Sequence, residues 1–215
     1  MKNRFDLIIF DWDGTLVNSI DWIVYCIQKA AEEFGCAVPG EQDTKDIIGL
    51  SIKKAMEKLF PGIDEVTQEQ LVKRYSELFF SKTIAQSDLF AGVYPMLQDL
   101  KQAGYQLAVA TGKNRAGLDR ALLGTQTTEL FAITKCADET RSKPNPTMLY
   151  EIVEYLDVSK QRTLMVGDSI HDLQMATNAE IASVGVACGA HSETTLKQFN
   201  PLHCLQHTHE LFELL

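Results

Sequence analysis

Two acidic residues stand where an apolar stretch of the chain ends. Asp11 and Asp13 come directly after the run Leu7–Phe10, and a glycine and a threonine follow them. A short run of apolar β-formers that stops at polar residues and a glycine predicts a buried strand that opens into a loop. Ligands of open α/β sheets bind at the carboxyl ends of the strands. We therefore expect these two carboxylates to do chemistry rather than to decorate the surface.

Three further segments place reactive side chains at strand ends or in loops. They hold a hydroxyl next to a glycine, an amine and two carboxylates: Thr111 and Gly112, Lys143, and Asp168 and Asp172. The first segment follows the apolar run 106–110, and the third follows the apolar run 163–166. The lysine stands just before a proline-flanked helix start. Taken singly, the threonine segment is usually a turn or a helix cap, the lysine is more often a solvated loop residue, and the last segment is also typical of a capped helix start.

The elements that must position these side chains alternate along most of the chain. Apolar spacing and breakers predict helices over 17–34, 45–48, 51–59, 67–82, 95–103, 115–122, 147–156 and 172–179, and strands over 7–10, 106–110, 131–134, 163–166 and 182–186. Strands separated by helices indicate an α/β fold with a doubly wound parallel sheet. The block without strands predicts an inserted all-helical cap over residues 17–87, with 1–16 and 88–215 forming the α/β core.

Composition narrows the possible partners. The 215 residues are 45% hydrophobic and carry a formal net charge of −9. This acidic balance disfavours nucleic acid and anionic membranes, because both require a basic face. The five cysteines are scattered without a C-x-x-C pair, and the N-terminus lacks the features of a signal peptide or a membrane helix. We expect a cytoplasmic protein of unassigned oligomeric state.

The order and spacing of the four segments resemble the four motifs of the haloacid dehalogenase superfamily, most of whose members are magnesium-dependent phosphotransferases. The helical insertion after residues 13–15 resembles the cap of the phosphoglycolate phosphatase and β-phosphoglucomutase group. The resemblance covers nearly the whole chain, and the core motifs are more diagnostic than the cap. It implies a phosphatase that acts on a small phosphorylated metabolite through an aspartyl-phosphate intermediate.

The resemblance also implies a role for each residue. Asp11 is the nucleophile and Asp13 the general acid and base, as phosphoryl transfer needs an attacking oxygen and a protonated leaving group. Three features would hold the phosphoryl group: the Thr111 hydroxyl, backbone amides near Gly112 and the charge of Lys143. Mg²⁺ would bind the Asp11 carboxylate, the Asp13 main-chain carbonyl and Asp168. Asp172 would not bind the metal directly but would orient a metal-bound water or Lys143.

The cap leaves alternatives open. Residues 48–52 are similar to the substrate-specificity loop of the group, and Lys53 beside this loop is a candidate substrate-binding residue. β-Phosphoglucomutases have basic residues where Ile48 and Ile52 stand here, a departure that favours a phosphatase. Asp13 argues against a dehalogenase, because those enzymes lack the second acid. A sugar phosphomutase and a non-catalytic phospho-ligand-binding protein remain the two alternatives.

Overall fold

A six-stranded parallel sheet forms the centre of the molecule, which a computed structural model describes over residues 4–215. The strands are β1 (Leu7–Phe10), β2 (Gln106–Thr111), β3 (Ile133–Cys136), β4 (Thr163–Gly167), β5 (Ala182–Val186) and β6 (His203–Leu205). Their spatial order is β3-β2-β1-β4-β5-β6. The chain winds in one direction from β1 to β3 and in the other from β4 to β6. In sheets of this kind a crevice forms at the carboxyl ends of the strands where the direction reverses.

Four consecutive helices follow β1 along the chain. They are α1 (Ile20–Glu33), α2 (Glu41–Lys45), α3 (Ile52–Leu59) and α4 (Glu65–Ser81). Of these, α1, α3 and α4 bury one shared hydrophobic cluster that includes Ile27, Met56 and Leu71. At the base of the block, Val17 forms backbone bridges to both Asp13 and Leu89. The chain therefore leaves and re-enters the sheet layer at one place, while the cap boundaries at residues 17 and 87 stay a prediction.

The remaining helices cover both faces of the sheet. They are α5 (Val93–Gln102), α6 (Arg115–Thr125), α7 (Thr147–Tyr155), α8 (Ile170–Ala179), α9 (Glu193–Leu196) and α10 (Leu211–Leu214). Successive side chains of a strand point to opposite faces. Ile8 and Phe10 of β1 accordingly share a cluster with residues of α5, α6 and α10, whereas Leu7 and Ile9 share one with residues of α7 and α8. Burial on both faces explains why β1 reads as a continuous apolar run.

The structure confirms the predicted fold class and differs from the predicted elements in several places. The helix predicted over 45–48 is wrong: α2 ends at Lys45, and Ile47 and Ile48 reach the hydrophobic cluster of α1, α3 and α4 from the turn that follows. The third strand begins two residues later than predicted. Phe131 instead packs edge-on against Trp12, with 6.3 Å between ring centroids.

Within residues 4–215, no helix combines the length and the apolar character needed to cross a membrane.

Candidate active site

The carboxyl ends of three adjacent strands bring the predicted residues together. β1 pairs with β2 on one side and with β4 on the other, with Phe10 level with Val109 and Val166. Asp11 therefore emerges between Thr111, the last residue of β2, and Asp168, which follows β4. All three side chains are buried. Parallel pairing thus places in one crevice residues that lie about 100 and 157 positions apart in sequence.

Lys143 is completely buried between two carboxylates. Its Nζ lies 2.7 Å from Asp11 Oδ1 and 2.6 Å from Asp172 Oδ1. Burial opposes the charge of this amine, but the two carboxylates outweigh it and raise the pKa of Lys143 above its ordinary value. A buried lysine needs such partners, since an unpaired ion in the interior costs several kcal/mol. Asp172, predicted to orient the lysine or a metal-bound water, does contact the lysine.

Three buried carboxylates form a cluster that suits a metal ion. Ligand atoms of Asp11, Asp168 and Asp172 all lie within 4.8 Å of one another. Burial, with the neighbouring charge of Asp172, raises the pKa of Asp11 well above its usual range and that of Asp168 to about 7. One lysine cannot balance three negative charges. An oxygen-rich, electron-rich pocket of this kind fits a hard divalent cation such as Mg²⁺.

Asp168 is held in place by fixed donors. The Thr15 hydroxyl donates to Oδ1 at 2.7 Å, and the Ala190 backbone N–H donates to Oδ2 at 2.7 Å. Gly14 lies against the same carboxylate: its φ of 79° is left-handed, and a Cβ there would sit 2.2 Å from Asp168 Oδ2. Both the conformation and the contact require glycine. The glycine after the two acids therefore shapes the site rather than merely ending the strand.

Asp13 points its carboxylate at a different pair of groups. The Ser19 hydroxyl donates to Oδ1 at 2.6 Å, and the Lys113 ammonium lies 2.9 Å from Oδ2. Lys113 Nζ also lies 4.3 Å from the centre of the Phe79 ring. The Asp13 side chain is thus separate from the three-carboxylate cluster and faces the cavity described next. The two acids have different surroundings although they are two residues apart.

A cavity of about 690 Å³, counting its open mouth, lies between the strand ends and the helices α1–α4. Its core wall consists of Asp11, Asp13, Thr111, Gly112, Lys113, Asn114 and Gly117. Its cap wall consists of Ile23, Ile47, Ile48, Gly49, Leu50, Ile52, Ala55, Tyr75, Ser76, Phe79 and Phe80. The core wall carries the charged groups, and the cap wall is mainly aliphatic and aromatic.

The cap loop, residues 46–51, joins the two walls. The Ser51 backbone N–H donates to the Ser142 hydroxyl at 2.8 Å, and His171 Nε2 lies 2.9 Å from the Asp46 carbonyl oxygen. The loop backbone also passes close over Gly112, where an added Cβ would lie 2.5 Å from the Leu50 carbonyl oxygen. The absence of a side chain at Gly112 lets the cap loop approach the core, while the predicted role of Gly112 in binding the phosphoryl group stays a prediction.

Lys53 departs from its predicted position. It is exposed and borders a surface groove with Glu57 and Phe60 instead of lining the cavity. The lysine that does line the cavity is Lys113, to which the sequence analysis assigned no role. Its place beside Thr111 and Gly112 was the available signal, because residues that follow a strand end share the crevice with that strand's last side chain.

Comparisons with known proteins show the family of the chain. The family model described as "Haloacid dehalogenase-like hydrolase" matches residues 8–186. A protein named probable phosphatase IndB from Dickeya dadantii (strain 3937) is 32% identical over 199 residues, covering 91% of this chain and 86% of its own length. Pyrophosphatase PpaX from Halalkalibacterium halodurans is 26% identical over 213 residues, covering 99% of this chain and 97% of its own length.

A solved structure shows the same fold. The crystal structure of a predicted phosphoglycolate phosphatase from Haemophilus somnus 129pt superposes with a TM-score of 0.85 at 22% identity. The match covers 100% of this chain and 99% of that chain.

Proposed function

The chain belongs to the haloacid dehalogenase-like hydrolases, and we propose that it is a Mg²⁺-dependent phosphatase that hydrolyses a small phosphorylated metabolite through an aspartyl-phosphate. One observation carries the proposal. Asp11 is buried at the switch point of the sheet, 2.7 Å from a lysine that is itself fully buried, and it opens onto the same cavity as Asp13 and Thr111. A nucleophile, a second acid, a hydroxyl donor and a fixed cation are the groups that phosphoryl transfer needs.

In the first half-reaction, an oxygen of Asp11 attacks the phosphorus of the ester. The new bond makes an aspartyl-phosphate while the bond from phosphorus to the leaving oxygen breaks. Asp13, in its protonated form, gives its proton to that oxygen, so the alcohol leaves neutral. Lys143 and the Thr111 hydroxyl offset the charge on the phosphoryl oxygens, which is largest in the transition state.

In the second half-reaction, a water attacks the phosphorus of the aspartyl-phosphate. Asp13, now a carboxylate, takes a proton from this water, and the bond from phosphorus to Asp11 breaks. Inorganic phosphate leaves, and Asp13 is again protonated for the next cycle. The partners of Asp13, Ser19 at 2.6 Å and Lys113 at 2.9 Å, hold its carboxylate toward the cavity in both halves.

The proposed residues for Mg²⁺ are Asp11, Asp168 and the Asp13 main-chain carbonyl. When bound, the ion supplies positive charge to the transferring phosphoryl group. Asp172 is closer to the lysine: one of its oxygens lies 2.6 Å from Lys143 Nζ, and the other accepts from the Ser169 hydroxyl at 2.6 Å. We assign Asp172 to holding Lys143 against Asp11.

Trapping of the intermediate tests the mechanism. The protein is incubated with Mg²⁺ and a small phosphate ester, quenched with hydroxylamine and digested for mass spectrometry. Hydroxylamine converts an acyl phosphate into a hydroxamate, so the expected product is a hydroxamate at Asp11 that requires the ester. Steady turnover with a hydroxamate at another carboxylate, or with none, would contradict the covalent route through Asp11.

Labelled water separates a phosphatase from a phosphomutase. A phosphatase incorporates ¹⁸O from water into the phosphate it releases, whereas a mutase returns the phosphoryl group to the sugar. The apolar side chains of Ile48 and Ile52 line the cavity at the positions where β-phosphoglucomutases have basic residues. This difference favours the phosphatase. A cytoplasmic location and a metabolite rather than a nucleic acid or membrane as partner are proposed with it, from the acidic composition.

A further inference from the structure

We propose that the metabolite carries an uncharged apolar group, aromatic or branched aliphatic, on the oxygen that leaves, and not a second anionic group. This inference rests on the proposed phosphatase function and specifies its substrate class. It is drawn from the cavity that faces Asp11 and Asp13. The phosphoryl end of a substrate must lie at the core wall, where Asp11, Asp13 and Thr111 meet and Lys143 lies against Asp11. The leaving group must then lie against the cap wall.

The cap wall offers a mainly apolar surface to that group. Four isoleucines, a leucine, an alanine and two phenylalanines contribute to it: Ile23, Ile47, Ile48, Ile52, Leu50, Ala55, Phe79 and Phe80. Removing apolar surface of a ligand from water is favourable in proportion to the area buried. A ring or branched chain would gain from this wall, and a charged group would lose its hydration there without replacement.

The polar groups of the two walls are mostly committed to the protein. The Ser76 hydroxyl donates to the Val72 carbonyl oxygen at 2.8 Å, and the Asn114 side-chain oxygen accepts from the Gly117 N–H at 2.8 Å. Tyr75 keeps a phenol at the wall, and burial raises the pKa of this phenol well above its usual range, so it is a neutral hydrogen-bonding group. The wall can therefore accept one hydroxyl or carbonyl on the leaving group.

The charges of the cavity oppose a second anion. Among the described residues that line it, Lys113 is the single cation, and its ammonium lies 2.9 Å from Asp13. Lys143 is enclosed by Asp11 and Asp172. A carboxylate or second phosphate on the substrate would find Lys113 as the one cation of the lining and would have to draw its ammonium away from Asp13.

The basic residues of the cap lie elsewhere. Lys53, Lys54 and Lys58 are exposed, and Arg74 forms ion pairs with Glu33 and Glu77. The names of two similar proteins, a pyrophosphatase and a predicted phosphoglycolate phosphatase, denote substrates with a second anionic group. The cavity of this chain points to a different substrate class.

A matched set of esters tests the preference. Benzyl phosphate and phosphoglycolate both release a primary alcohol, so they differ mainly in an apolar ring against a carboxylate, and ethyl phosphate lacks both. With Mg²⁺, kcat/KM for benzyl phosphate is expected to exceed that for the other two by about tenfold or more, the discrimination typical of an apolar pocket. Inorganic pyrophosphate is expected to be as poor as phosphoglycolate. Equal or better turnover of phosphoglycolate or pyrophosphate would overturn the proposal.

A charge placed in the cap wall should reverse the preference. In Ile52→Lys, an ammonium faces the cavity, so activity on phosphoglycolate should rise relative to benzyl phosphate by about tenfold. Leu123→Lys adds the same charge at an exposed position of α6 and should leave the ratio unchanged. Ile52→Ala, which removes apolar surface without adding charge, should lower kcat/KM for benzyl phosphate and not for ethyl phosphate. Thermal melting identifies a variant that fails to fold, and an unchanged ratio in two folded Ile52 variants would contradict the proposal.

Binding separates this inference from the catalytic proposal. Benzylphosphonate and phosphonoacetate cannot be hydrolysed, and calorimetry with Mg²⁺ measures their affinities whether or not the protein turns over esters. Tighter binding of benzylphosphonate supports the apolar substrate class even if no ester is hydrolysed, a result that would defeat the phosphatase mechanism alone. Tighter binding of phosphonoacetate would overturn the substrate class while leaving the mechanism intact.

Discussion

The two walls of the cavity differ in the interactions that hold their side chains in place. On the core wall and directly behind it, buried ions hold one another in fixed positions, as Lys143 does between Asp11 and Asp172 at 2.7 and 2.6 Å. On the cap wall, side chains such as Ile48 and Phe79 pack without directional bonds. A substitution on the core wall changes charge balance and chemistry together. A substitution on the cap wall changes the shape and polarity presented to the leaving group, which leaves specificity free to vary while the reaction is kept.

The largest effect should come from the nucleophile. Asp11→Asn keeps the size of the side chain but removes the attacking oxygen, so kcat should fall by at least about 10³-fold, equivalent to roughly 4 kcal/mol. The protein should not lose stability. Burial and Asp172 already raise the pKa of Asp11, which means that its charge is unfavourable in the folded state.

Phosphate release and thermal melting check both expectations for Asp11→Asn. Asp21→Asn is the matched control, since it makes the same change at an exposed position in the first turn of α1. A variant at position 11 with most of its activity, or one that melts well below the wild type while the control does not, would show that this carboxylate serves folding rather than catalysis.

Removal of the metal should have the next largest effect. A chelator should lower turnover by about 10²-fold or more, because charge neutralisation at the phosphoryl group is lost. Mg²⁺ should also raise the melting temperature, since an ion that binds only the folded state stabilises it by mass action. Asp168→Ala should abolish this rise, and full activity in chelator would contradict the metal site. Substitutions on the cap wall should leave both the rise in melting temperature with Mg²⁺ and the loss of turnover in chelator unchanged.

Substitution of the buried Lys143 distinguishes the role of the core wall from that of the cap wall. Lys143→Ala should depress kcat on all phosphate esters alike, by about 10²-fold, because every substrate shares the phosphoryl group. It should also cost about 3 kcal/mol or more in unfolding free energy, as it leaves the buried Asp172 carboxylate without its cation. Denaturant unfolding and an ester panel measure the two effects.

Lys53→Ala provides the control for the lysine. Because Lys53 is exposed and outside the cavity, its replacement should change neither the ester ranking nor the stability. A change in substrate ranking in Lys53→Ala, with Lys143→Ala affecting only some esters, would reverse the roles that the structure gives to the two walls.

The contrast between the walls also explains what sequence could predict. The apolar runs before Asp11, Thr111 and Asp168 fix the strand ends, and parallel pairing then brings the three together whatever the intervening chain does. Lys143 could be placed only by resemblance, since its position between Asp11 and Asp172 depends on a loop. The sheet and the residues at its strand ends are therefore visible in local patterns, whereas Lys143 is not.

The cap wall is less visible in sequence. Lys53 was assigned to the substrate because it follows the glycine loop, but α3 begins at Ile52, and helical spacing turns Ile52, Ala55 and Met56 inward and Lys53 outward. That periodicity could have corrected the assignment. The contact of Lys113 with Asp13 could not have been found in this way, because it joins two loops about 100 residues apart.

The smallest expected effect concerns a hydrogen bond that joins the walls. Ser142→Ala removes the hydroxyl that accepts from the Ser51 N–H at 2.8 Å, one of the two hydrogen bonds described above between the cap loop and the core. One such bond contributes about 1 kcal/mol, or roughly a fivefold change in an equilibrium constant. KM for benzyl phosphate should rise by about that factor because the cap wall closes less tightly over the ring. Ethyl phosphate, which barely reaches the wall, should show little change, and kcat should stay near wild type for both esters. Ser81→Ala removes an exposed hydroxyl that bonds only within α4 and should alter neither constant. An equal loss of kcat on both esters in Ser142→Ala would mean that the change is transmitted to the neighbouring Lys143, and that the two walls are mechanically one unit rather than two.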